Sequence, residues 1–122
     1  MKTLMEENWQ KDKITSMHRV AMEYAESAAS LKNNNTEHYK KNIIKAYEMA
    51  WTAAVLAMFM DDFEPTISIL LYSAASLAQE CGDFRESEIL CCNGLLSQHR
   101  SNDFRDLLKK LHEEDTDLRL RH

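Results

Sequence analysis

Apolar residues recur at steps of three and four along most of this chain, the period of a helix that buries one stripe of its surface. Ile14, Met17, Ala21, Tyr24, Ala25 and Ala28 carry that period over about residues 6–32, with Lys13, Arg19, Glu23 and Glu26 between them. Asn33-Asn34-Asn35 ends the helix, because asparagine tolerates left-handed backbone and its amide competes for helix hydrogen bonds. Thr36 is placed to cap a second helix over about 37–61. In its first half Tyr39, Ile43, Ala46, Tyr47 and Ala50 oppose Lys40, Lys41, Lys45 and Glu48. Its second half, Trp51 to Met60, is apolar on every side and belongs to a twelve-residue apolar run from Met49 to Met60. A third helix is predicted over 65–81, entered through Pro65, whose missing N–H had no partner in a first turn. Gly82 supplies the left-handed residue that closes it, and Asp83 caps a fourth helix over 84–98. A fifth, over about 102–114, opens at Ser101 or Asp103, and the charged stretch 115–122 is expected to fray.

This pattern predicts an all-α domain of about five helices, and composition agrees. Two glycines and one proline in 122 residues cannot supply the turns of a β-sandwich or the phosphate-binding turns of a nucleotide-binding α/β fold. The length suits one domain with a real core, here residues 1–122. A net charge of −5 repels phosphate backbones, so nucleic acid is not an expected partner. The twelve-residue apolar run falls short of the roughly 20 residues a membrane helix needs, so no membrane partner is expected either. The first residues carry Glu6 and Glu7 where a secretory peptide would be apolar, and three cysteines, two adjacent, do not form a disulfide framework. A reducing cytoplasm is the expected compartment.

The chain also repeats itself. Ala21, Tyr24, Ala25 and Ala28 are mirrored fifty residues later by Leu71, Ala74, Ala75 and Ala78. Tyr39, Ile43 and Ala46 correspond in the same way to Ser87, Cys91 and Gly94. Small residues at such points let two helices approach closely while larger ones fill the gaps between hairpins. With its small pair Ala74-Ala75, its turn Gly82-Asp83-Phe84 and small residues at Ser87 and Gly94, the stretch 65–98 resembles one tetratricopeptide repeat. The stretch 17–50 is a weaker likeness, with Asn33-Asn34-Asn35 in place of Gly-Asp. The resemblance implies a right-handed array of antiparallel hairpins, the first spanning about 6–61 and the second 65–98, capped by the helix at 102–114. It further implies an interaction scaffold that binds a peptide or partner protein on the face of its first and third helices. Carried onto this sequence, that face draws Glu23, Ser27 and Ser30 from the first helix and Tyr72, Ser73, Ser76 and Gln79 from the third. Serines and a tyrosine beside an alanine seam can hydrogen-bond a peptide backbone.

Catalytic and metal chemistry find less support. No His or Cys pair stands at a zinc-ligand spacing, and adjacent Cys91 and Cys92 project about 100° apart on a helix. No metal or other cofactor is expected. Cys81 and Cys91 read as small core residues. Arg105 and His112, seven residues apart on one helical face, resemble the Arg-His element of HEPN domains, small all-α proteins that often cleave RNA. Six arginines and five histidines make such a spacing common by chance, and Glu113 and Glu114 beside the histidine oppose RNA. A non-catalytic module is therefore the expected reading, with the ribonuclease as the alternative.

One further cluster is Trp51, Met58, Phe59, Met60 and Phe63. A helix apolar all round must be covered all round. Either the second hairpin covers it, or a second copy does, giving a homodimer through an interface rich in aromatics and methionine.

Overall fold

A computed structural model of the chain describes residues 3–97 and 99–121, the side chains of 115 and 117–121 excepted. Five helices and no strand occur among the described residues: α1 (Leu4–Leu31), α2 (Thr36–Ala57), α3 (Thr66–Glu80), α4 (Phe84–Ser97) and α5 (Ser101–Arg121). None is long and apolar enough to cross a membrane. α1 packs on α2, α2 on α3, α3 on α4 and α4 on α5, and α3 also touches α5.

Local chemistry sets the boundaries and corrects several expectations. α1 starts two residues earlier than its period shows, because Thr3 and Glu6 form a reciprocal capping box. Asn35, not Thr36, caps α2, its side chain accepting from the His38 N–H at 3.1 Å. α2 ends at Ala57 rather than Asp61. A turn with Asp62 at φ 51° follows, a left-handed conformation that aspartate tolerates better than most residues. Pro65 stands at the N-cap of α3, after a cis peptide bond, and is not a first-turn residue. Glu64 does the capping there, accepting from the Ser68 N–H at 2.9 Å. The turn at Gly82 (φ 82°) and the Asp83 cap on Glu86 N–H are as the sequence predicts. α5 does not fray after Glu114 but continues to Arg121. The predicted end of the fourth helix at Gln98, and His122, lie outside the described residues.

Alanine dominates the core. Ala21 and Ala28 of α1, Ala46, Ala50, Ala53, Ala54 and Ala57 of α2, and Ala74, Ala75 and Ala78 of α3 have no exposed surface. Without bulky side chains between them, neighbouring backbones pack closely and dispersion contacts accumulate along the seam. The large, fully buried side chains of the same core are Leu70, Leu71, Leu90 and Phe104. Phe104 rests directly on Gly94, where an added Cβ would collide with its ring. Buried Ser87 donates to the Ala75 carbonyl at 2.8 Å, joining α4 to α3.

Three aromatic donors on α2 stitch its exposed flank to the α3–α4 turn. Tyr39 donates to Glu80 at 2.7 Å, Tyr47 to Asp83 at 2.9 Å and Trp51 to Glu86 at 2.8 Å. Burial and the acceptor carboxylates push the Tyr39 phenol up to about 12 and raise that of Tyr47 further. Burial, aided by Glu80 and Asp83, raises Cys81 to about 11, and burial with the neighbouring Cys92 raises Cys91 to about 11. Both thiols stay protonated, which makes them packing groups rather than nucleophiles at neutral pH.

Candidate functional site

α3 forms the floor of a cleft of about 720 Å³, walled by Lys32 at the end of α1, Tyr39 at the start of α2, and Asp106, Leu107, Lys110 and Glu114 along α5. Tyr72, Ser76, Gln79 and Glu80 line the floor. Phe104, Leu107 and Leu111, spaced three and four apart, bury one stripe of α5 and so turn its polar flank toward α3. Tyr72 meets Phe104 edge to face, with centroids 5.9 Å apart, and Arg100 lies 5.5 Å from the Tyr72 centroid. Gln79, only 6% exposed, donates to Glu114 at 3.0 Å. These contacts hold the α3–α5 separation, so the cleft exists before anything enters it.

Of the seven residues proposed for a binding face, the structure brings together Tyr72, Ser76 and Gln79. Ser73 is engaged elsewhere, paired with His18 Nε2 of α1 at 3.1 Å. Burial holds the His18 imidazole below its ordinary value, so near pH 7 it is neutral and acts as a hydrogen-bonding strut. Glu23, Ser27 and Ser30 are exposed on α1 outside the cleft, and Ser30 donates to the Ser27 carbonyl at 2.8 Å. Sequence reasoning missed the contribution of α5, because a capping helix reads as a solvated surface. The signal was present in Phe104, Leu107 and Leu111, whose stripe requires α5 to lie flat on its neighbours.

The charges in the cleft are mixed. Glu80 accepts from Tyr39 and lies 3.9 Å from Lys32, while Lys110 and Asp106 stand one turn apart on α5. Such a lining suits a polar main chain with side chains of either sign better than a single strong anion or cation.

The aromatic and methionine cluster divides. Trp51 leans toward α4 through Glu86, and Phe63 packs on the core with Lys11 5.5 Å above its ring. Met58 is exposed. Phe59 and Met60 line a second, apolar cleft of about 340 Å³ between the ends of α1 and α2. The end of α2 is therefore buried on its alanine side only.

Arg105 and His112 are both exposed on α5. Among the described residues no group of three or more His, Cys, Asp or Glu is disposed to hold a metal ion. No family model, curated protein or solved structure matches this chain.

Proposed function

We propose that this protein is a cytoplasmic, non-catalytic interaction module built as a tetratricopeptide-like array. In this reading α1–α2 and α3–α4 are antiparallel hairpins, and α5 caps the second. It binds an extended segment of a partner protein in the cleft floored by α3.

The cleft itself carries the reading: a preformed polar trough of about 720 Å³ between α3 and α5, with main-chain-seeking groups on its floor. Burial at the repeated positions supports the array. Ala28 and Ala78, and Ile43 and Cys91, are buried alike at the offsets of fifty and forty-eight residues. Tyr24, Ala25 and Tyr39 depart from this, half-buried where their counterparts Ala74, Ala75 and Ser87 are sealed. A groove from two hairpins and a cap is short, so affinity for a lone peptide is expected to be modest.

The test is affinity capture from the native host with wild-type protein, Ser76→Arg, which fills the cleft, and Lys110→Glu, which inverts charge on the exposed wall. A partner recovered by wild-type protein and lost with both folded variants supports the cleft. A partner retained by both, or RNA cleavage abolished by Arg105→Ala and His112→Ala, contradicts it.

A further inference from the structure

The apolar cleft between the ends of α1 and α2 has no covering element. Trp9, Ile14 and Met17 of α1 form one wall, with Leu56, Phe59 and Met60 opposite. Phe59 is 82% exposed and Trp9 63%. Leu56, on the opposite wall, is 44% exposed. An aromatic side chain offers about 150–250 Å², so Trp9 and Phe59 alone leave roughly 200–350 Å² of apolar surface in water. With Leu56 added, the cleft reaches the roughly 300–600 Å² of the largest apolar patch on a typical monomer, a size at which such patches are often functional.

We propose that this end of the molecule is the interface of a symmetric homodimer, in which each copy covers the other's α1–α2 cleft. The patch is self-complementary in shape. It carries the projecting side chains of Phe59 and Trp9 on the rim of a recess with room for a large side chain, as a two-fold interface requires of a single surface. Its charges are self-complementary as well. Lys13 lies on the wall, 5.1 Å from the Trp9 centroid, and Asp61 and Asp62 follow Met60 directly. Among the described residues neither Lys13 nor the carboxylates of these two aspartates form an ion pair, although Lys11 donates to the Asp62 carbonyl at 3.4 Å. A two-fold axis through the patch can place each lysine opposite the partner copy's aspartates, twice over. The same aspartates, with Glu7 and Asp12 nearby on α1, argue against an anionic lipid surface as the occupant. This interface is separate from the α3–α5 cleft, so either proposal stands or falls without the other.

Sedimentation velocity of the full chain from about 1 to 100 µM tests it, with Phe59→Asp, Trp9→Asp and Leu56→Asp, each checked for helicity by circular dichroism. Leu96→Asp, at an equally exposed position on α4, is the control. Wild-type protein and the control should dimerise alike. Phe59→Asp and Trp9→Asp should each weaken the dimer at least about 30-fold, the loss expected of an aromatic hot spot. Leu56→Asp keeps the test open if either aromatic variant fails to fold. A wild-type chain that stays monomeric at 100 µM overturns the proposal. So does a dimer that the α1 and α2 variants leave intact, or a monomer that floats with anionic vesicles unless Phe59 is changed.

Discussion

The two ends of this helical array are finished differently. At the end where α4 lies, α5 folds back and seats Phe104, with no exposed surface, against Gly94 and Tyr72. Leu90, Leu107 and Leu111 close around it. At the end where α1 begins and α2 stops, no helix plays that part, and Leu4, Met5, Trp9, Leu56 and Phe59 remain in water. A run of packed helices leaves an apolar side at each end unless a further element covers it. Here α5 covers one end. The other has an alanine-rich inner face and an apolar outer rim.

The sharpest way to break this comparison is to truncate one aromatic at each end. Phe104→Ala should cost about 3–5 kcal/mol in urea unfolding, since a fully buried ring leaves a cavity. Phe59→Ala should change the stability of the monomer by no more than ~0.5 kcal/mol at low micromolar concentration. Equal effects would dissolve the distinction.

Gly94→Ala is the next most telling change. In an open helix it would stabilise by about 1 kcal/mol through propensity alone. Against the Phe104 ring the added methyl must displace the closing helix, and we expect a net loss of about 1–3 kcal/mol. A gain in thermal stability would show that α5 is not seated on α4 as described.

A smaller effect tests the joint inside the closed half. Ser87→Ala removes the buried bond to the Ala75 carbonyl and should cost about 1 kcal/mol.

The mildest test is pH. Tyr39 and Tyr47 hold their protons more tightly folded than unfolded, as do Cys81 and Cys91. Above the unfolded values, near pH 9 for thiols and 10 for phenols, the unfolded chain binds fewer protons, so stability must fall as pH rises. The decline should run to about pH 12 for Tyr39 and be shallower in Tyr39→Phe. His18 acts in the opposite direction. Its folded value lies below 6.5, so its contribution is present at neutral pH and lost as pH falls through that lowered value.

Much of this architecture was legible in the residues. The three-four spacing of Ile14 to Ala28, the turn at Gly82 and the cap at Asp83 depend on local chemistry that a sequence displays directly. The ends of α2 and α5 were less accessible. Residues 58–60 continue the apolar run in composition, yet the chain turns there, because a reversal toward α3 outweighs helix propensity that carries only tenths of a kcal/mol per residue. The charged stretch after Glu114 looks like a tail, yet the helix persists to Arg121.

The candidate site was legible by halves. Tyr72, Ser76 and Gln79 came with the tetratricopeptide resemblance, whereas Asp106, Lys110 and Glu114 depend on which face α5 turns to α3. That choice is made by Phe104 finding the space left by Gly94, a pairing ten residues apart that no helical period encodes. Trp9 was missed for a related reason. Alone before the first periodic residue, it gains meaning only when the end of α2 brings Phe59 beside it.

Hydrogen–deuterium exchange of the unmodified chain at about 1 and 100 µM probes both ends in one experiment. At the higher concentration, protection should rise over residues 4–17 and 54–60, while α3, α4 and the first turns of α5 stay unchanged and already well protected. A rise confined to α3 and α5, or no change anywhere together with rapid exchange around Phe104, would contradict a molecule closed at one end and left open at the other.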